Sequence, residues 1–169
     1  RHGELLNFVA VAQRNKWEAE GWTIPAPLDE FLEEFSSFDE GTRTVISRPV
    51  LGQVFKWGLF GRPWLEQWSC GRVVLLGDAA HPMLPFLGQG GANAIEDAMI
   101  LARCLKSEAV PERAFALYQR TRAPRARAAT DQAAKRGDRY LGEPSAESLK
   151  GNEAGAEYGY DALSAPLGG

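Results

Sequence analysis

The sequence predicts an α/β fold, and three observations carry that prediction. Residues 72–76, Arg-Val-Val-Leu-Leu, form a β-branched and apolar run that stops at Gly77, the pattern of a strand covered on both faces of a sheet. After a loop comes a glycine cluster, Gly88-Gln-Gly-Gly, and then an amphipathic segment from Gly91 to Leu105. A second helical pattern opens at Pro111, where a proline suits the first turn.

The remaining elements follow in chain order. Residues 4–12, Glu-Leu-Leu-Asn-Phe-Val-Ala-Val-Ala, are short and rich in strand formers, and predict a strand that needs partners from elsewhere. Gly21 to Pro27 carries turn chemistry. Leu28, Phe31, Leu32 and Phe35 then recur at helical spacing, with Asp29 and Glu30 in the first turn, where the helix dipole favours negative charge. Asp39 to Ser47 predicts a second short helix ending before Pro49, and Val54 to Phe60 a strand with Phe55, Trp57 and Leu59 on one face. In the helix from Gly91 the predicted apolar stripe is Ala94, Ile95, Ala98, Met99, Ala102 and Leu105. Glu96 and Asp97 are expected to face solvent. The helix from Pro111 runs to about Tyr140 with a kink or break near Pro124. Residues 142–169 are expected to be irregular, with Tyr158, Tyr160 and Leu163 available to dock onto the body.

Composition excludes several classes. Nineteen Lys and Arg against 22 Asp and Glu give a net charge of −3, and 44% apolar content is that of a chain with a packed core. Residues 113–139 hold eight basic and two acidic residues, yet aromatics are not interleaved and the charges recur as on a solvated helix face, so a nucleic-acid partner is not expected. No run approaches a membrane span and no leader-like pattern opens the chain, so no membrane partner is expected and a cytoplasmic protein is. Cys70 and Cys104 are too few for a disulfide framework. The chain opens at Arg1 directly onto a strand-forming run, and so reads as part of a longer protein.

The stretch from Gly71 to Ala98 carries the chemistry: strand, Gly77-Asp78, a proline-punctuated loop, glycines, helix. An Asp just beyond the C-terminal end of a buried strand sits where open α/β sheets hold ligands. Ionised, it accepts hydrogen bonds only, which suits a hydroxylated ligand. Gly88, Gly90 and Gly91 clear side chains from a helix start whose free N–H groups favour negative charge. Each piece alone has a plainer reading, Asp78 as a helix cap and Gly77-Asp78 as a strand-ending turn. His81 has only His2 for company, so no metal site is predicted. A hydrolase built on Asp78 and His81 lacks a Gly-x-Ser-x-Gly elbow, and Ser69 lies on the wrong side of the strand.

Taken together, the block resembles the Gly-Asp region of the group A flavin-dependent aromatic hydroxylases, closest to the salicylate and 3-hydroxybenzoate hydroxylase branch. The resemblance extends through Leu5 to Val11, Phe55-Lys56-Trp57, Tyr118-Gln119-x-x-Arg122 and Tyr158-Gly-Tyr-Asp161. It implies the C-terminal part of a Rossmann-like FAD-binding domain joined to the end of an α+β substrate-binding sheet domain. The substrate-domain part would be residues 1–63, the FAD-domain part residues 64–141, and the tail residues 142–169.

It also implies FAD as cofactor, with NADH or NADPH and O2 as co-substrates and a hydroxylated aromatic acid as substrate. Oxygen would pass to the ring from a flavin C4a-hydroperoxide. Asp78 would bond the ribityl chain, with Gly77 giving it room. Pro85 would lie against the isoalloxazine. Gly88, Gly90, Gly91 and Ala92 would line the cofactor, the last three offering N–H groups to its pyrimidine edge, and a helix start suits the charge of reduced flavin. His2, Leu6 and Gln89 would face the substrate. No catalytic acid or base is implied, and a homodimer is the expected assembly.

The chain departs from the family in lacking the Gly-x-Gly-x-x-Gly fingerprint and the mid-chain Asp-Gly motif. With one of the flavin's clamps present, this stretch alone is expected neither to bind FAD tightly nor to be active. The alternatives are a related epoxidase or reductase, and a truncated, non-catalytic flavoprotein remnant.

Overall fold

The computed structural model describes residues 5–13, 16, 19–49, 54–141 and 159–168, which fall into one unit up to Leu59 and another from Phe60. In the first, Ile24–Ala26 (β1) pairs antiparallel with Val54–Lys56 (β2), Pro25 standing opposite Phe55. The turn chemistry of Gly21 to Pro27 concealed β1, and a two-stranded ribbon leaves an open edge on which a proline is tolerated. Strand β2 stops at Lys56 rather than Phe60, and Phe55 is exposed while Val54 and Lys56 are half-buried, so the inward face is not the aromatic one predicted.

Between the strands lie Leu28–Glu34 (α1) and Glu40–Ile46 (α2). The predicted stripe of α1 holds, Leu28, Phe31 and Leu32 being half-buried and Phe35 buried, with the Phe31, Phe35 and Phe38 rings in contact. Asp39 caps α2 by accepting from the Thr42 N–H at 3.0 Å and its hydroxyl at 2.6 Å. Lys56 on β2 donates to Glu30 on α1 at 2.7 Å.

Residues 5–13 have no regular structure, and Leu5, Leu6, Phe8, Val9 and Val11 are exposed. The strand expected over residues 4–12 does not form in its described part. Strand backbone must exchange hydrogen bonds with a neighbour, and no described strand pairs with it.

In the second unit, Ser69–Cys70 (β3) and Val73–Val74 (β4) form a short antiparallel hairpin about Gly71, whose φ of +53° suits glycine. Val73 and Leu76 are exposed, so the strand predicted to be covered on both faces is an edge of two strands among the described residues. The longest elements of the unit are Gly90–Ser107 (α3) and Pro111–Leu141 (α4), packed on each other.

The core is Trp68, Ala80, Ile100, Cys104, Ala114, Tyr118 and Ala126. The Trp68 ring lies 5.7 Å from Tyr118 and 5.0 Å from the His81 ring, centre to centre. Gln119 of α4 fastens the segment before β3, accepting from the Trp68 N–H at 2.9 Å and donating to the Glu66 carbonyl at 2.8 Å.

Helix α4 runs unbroken through Pro124. The carbonyl that a proline leaves without a donor belongs to Arg120, and both residues are exposed, so that face is open to water. Of the tail, residues 159–168 follow an irregular path ending in turns, while Tyr158 lies outside the described residues. Tyr160 docks over Arg125, 4.2 Å from its guanidinium carbon, but Leu163 is exposed. Arg103 donates to the Ala162 carbonyl at 2.7 Å, and the Gly168 N–H to the Thr121 hydroxyl at 2.8 Å.

Candidate functional site

The chain leaves β4 through the extended Leu76 and turns sharply at Gly77, whose φ of +58° is followed by a single 3₁₀ turn, Gly77–Ala79. Glycine is needed here twice over. Its φ is unfavourable for a side chain, and a β-carbon would sit 3.1 Å from that of Ala94 on α3. The Ala80 and His81 N–H groups close the turn on the Gly77 carbonyl, each at 2.9 Å.

Asp78 projects from this turn, exposed, toward the start of α3: a β-carbon on Gly90 would lie 3.8 Å from its Oδ1. Before α3 a second 3₁₀ turn, Pro85–Leu87, ends at Gly88 in the left-handed region. Phe86 of that turn rests on Gly137 of α4. The helical ladder of α3 begins with Asn93 N–H to the Gln89 carbonyl at 2.9 Å, so the amides of Gly90, Gly91 and Ala92 have no acceptor within the helix. Beside Gly88 and Gly91 a β-carbon would meet nothing within 4 Å among the described residues.

An exposed carboxylate, a row of open amides and cleared space thus stand together. That set fits a ligand with hydroxyl groups at one part and an electron-rich edge at another.

Behind this surface lies a buried polar network. Asp97, fully buried on α3, accepts from the Gly77 N–H at 2.8 Å and from His81 Nε2 at 2.7 Å on Oδ2, and from Arg122 Nε at 2.7 Å on Oδ1. An ionised carboxylate only accepts, so His81 donates to it through Nε2. Nδ1 of His81 is buried and has no partner among the described residues. Arg122, also fully buried, gives its other N–H groups to Glu96 at 2.7 Å, to the Asn93 carbonyl at 3.3 Å and to Asn93 Oδ1 at 2.9 Å. Glu96 in turn accepts two bonds from Arg125, at 2.7 and 2.8 Å.

Burial pushes the Asp97 carboxyl upward, but hydrogen bonds from His81, Arg122 and Gly77 outweigh it and hold Asp97 below the ordinary carboxylate range. Burial likewise opposes the charge on Arg122, and the bond to Asp97 more than restores it. Tyr118, whose buried hydroxyl has no hydrogen-bond partner among the described residues, is pushed far up by burial and then by the charge of Asp97.

The structure corrects the reading of this region in three places. Glu96 and Asp97, expected in solvent, face inward to arginine. The buried face of α3 is Asn93, Asp97, Ile100 and Cys104, whereas Ile95, Ala98, Ala102 and Leu105 of the predicted stripe are exposed. Arg122, read as part of a solvated basic face, is at the centre of the packing. The two polar members of the buried face recur with Ile100 and Cys104 at i, i+4, i+7 and i+11, and that period was the available signal.

Of the residues singled out in the sequence, Gly77, Asp78, Gly90, Gly91 and Ala92 come together at the turn and the helix start, with Pro85 and Gly88 on the loop between. Gln89 is buried and lines a cavity of about 250 Å³ with Leu87, Asn93, Arg125 and Gln132. Leu6 is exposed in the other unit, and His2 lies outside the described residues.

The family described as "FAD binding domain" matches residues 43–133, just over half of the chain. A 6-hydroxynicotinate 3-monooxygenase of Pseudomonas fluorescens is 43% identical over 123 residues, which are 72% of this chain and 31% of the relative. The 3-amino-4-hydroxybenzoate 2-monooxygenase PtnB3 of Streptomyces platensis is 37% identical over 141 residues, 83% of this chain and 35% of the relative. A salicylate hydroxylase solved as a substrate complex superposes with a TM-score of 0.61 at 29% identity, over 75% of this chain and 32% of that one. The chain thus spans about a third of the length of the curated relatives it matches. With its mixed helices and strands, its glycine turn and its open helix start, the chain is a partial FAD-binding domain and belongs to the FAD binding domain family.

Proposed function

We propose that this chain is the C-terminal flavin-holding part of an FAD-dependent monooxygenase that hydroxylates a phenolic aromatic acid. NADH or NADPH would be the reductant and O2 the oxidant. The balance is one ring hydrogen replaced by hydroxyl, with O2 and NAD(P)H plus a proton yielding water and NAD(P)+. The observation that carries the reading is Asp78 exposed beside the open amides of Gly90, Gly91 and Ala92. The named activities of the two relatives given above, a hydroxynicotinate and an aminohydroxybenzoate monooxygenase, support it. In this reading residues 1–63 end the substrate domain, residues 64–141 end the FAD domain and residues 142–169 are its tail.

FAD, when bound, supplies the redox chemistry that activates O2. The chain's own residues hold and orient it. Asp78 accepts hydrogen bonds from the ribityl hydroxyls, and Gly77 lets the turn approach α3 closely enough to place that carboxylate. The amides of Gly90, Gly91 and Ala92 face the pyrimidine edge, where the dipole of α3 favours negative charge. Pro85 and Gly88 present a surface without polar side chains to the ring. Gln89 is the substrate-side residue of the same proposal.

The test is flavin titration of the whole protein with Asp78→Ala. Loss of a hydrogen bond to a charged group weakens binding by about 1.5–3 kcal/mol, roughly 10- to 150-fold. Unchanged FAD affinity overturns the assignment of Asp78 and of this surface.

A further inference from the structure

We propose that His81, Asp97 and Arg122 are positioning residues that set the Gly77–Asp78 turn against the start of α3, so that flavin affinity is tuned from a buried network that does not touch the ligand. The inference rests on the FAD reading above and deepens it.

The geometry is that of a clasp. One oxygen of Asp97 holds both ends of the turn, the Gly77 N–H at 2.8 Å and the His81 ring at 2.7 Å, while Asp78 hangs exposed between them. The other oxygen is fixed by Arg122 of α4 at 2.7 Å. Asp97 stands on α3, the helix whose first amides form the other half of the site, so its carboxylate joins the two halves directly. Arg122 also holds Asn93, in the first turn of α3, by side chain and carbonyl. Misplacing either half by an ångström forfeits bonds that need both.

Packing alone does not call for these residues. Burying Asp97 and Arg122 fully carries a desolvation cost that well-packed apolar residues of the same volume avoid. What the charges add over an apolar filling is direction, because each oxygen of Asp97 faces a donor on a different element.

The experiment uses the whole protein with two substitutions at His81. Glutamine keeps an N–H donor near the place of Nε2, whereas phenylalanine keeps ring volume and the Trp68 contact without a donor. FAD affinity of the apoprotein, the visible circular dichroism of bound flavin and apoprotein Tm are read together. The expected result is that His81→Phe raises the FAD Kd roughly tenfold or more and alters the bound-flavin spectrum, while His81→Gln stays within about threefold of the parent. Asp97→Asn, nearly isosteric, is measured in the same way and is expected to follow the phenylalanine variant, so that the test survives if His81→Phe does not fold. Parent-like affinity and spectrum in His81→Phe or Asp97→Asn, or better binding by His81→Phe than by His81→Gln, overturns the proposal. Asp78→Ala separates the two readings: if it alone loses affinity, the positioning proposal falls and the FAD reading stands. If the parent binds no FAD, both fall.

Discussion

Replacing Arg122 by methionine removes the cation and keeps most of the aliphatic bulk, and its cost follows from the contacts. Four hydrogen bonds vanish: one to Asp97, one to Glu96 and two to Asn93. Breaking one side of a buried ion pair costs about 3–5 kcal/mol. Asp97 keeps the Gly77 and His81 bonds and Glu96 keeps Arg125, so the loss belongs at the lower end, about 3 kcal/mol. That is a large share of the roughly 5–15 kcal/mol that holds a domain together.

The sign of the pH dependence is fixed as well. In the parent, Asp97 titrates below the ordinary range, so its contribution is present above the unfolded pKa and is lost as pH falls through the folded one. In the variant, burial meets fewer opposing bonds and the folded pKa moves up. The strained carboxylate is then relieved by protonation as pH falls, and the gap between variant and parent narrows in mild acid. Urea unfolding followed by far-ultraviolet circular dichroism, near neutrality and in mild acid, measures both quantities. A loss under about 1 kcal/mol, the worth of a surface pair, or a gap that widens in acid, refutes the reasoning.

Gly137→Ala tests the seat of the loop turn on α4. Its β-carbon would fall 2.6 and 2.7 Å from Phe86 ring atoms, so destabilisation by about 1–3 kcal/mol is expected against the roughly 1 kcal/mol that alanine ordinarily adds to a helix. The double variant with Phe86→Leu should recover much of it, and a single variant more stable than the parent in denaturant titration would count against the packing described. The two thiols should differ in a kinetic assay with a disulfide reagent: exposed Cys70 reacts in the native protein, and buried Cys104, its thiol pushed up by burial, only after unfolding. Equal native rates would contradict the core assignment of Cys104.

The site was legible where backbone conformation dictates residue type. Gly77 and Gly88 adopt positive φ, the glycines at the start of α3 leave open space, and these demands are visible as glycines in the sequence. The extent of the long helices was legible from the glycines that open α3 and the proline that opens α4. What stayed hidden depends on partners distant in sequence. Asp97 looks like a solvated carboxylate until Arg122, 25 residues on, is folded against it. An apolar period misleads on α3 because two of the four buried positions are polar and satisfied from α4. Strand extent failed for the same reason in reverse: a strand former without a neighbour to bond has no local reason to be a strand, as residues 5–13 show.

The strap formed by residues 159–168 bears on the order of events during synthesis. It crosses the helix pair, with Arg103 of α3 bonded to Ala162 and Thr121 and Arg125 of α4 engaged by Gly168 and Tyr160. On the ribosome α3 and α4 emerge before it, so the helix pair spends an interval with Arg103 and Thr121 lacking these partners and the Tyr160 ring absent from Arg125. Nascent chains held at that stage should yield to protease near α4 more readily than the released protein, because this fastening of the helix pair is translated after the helices it holds.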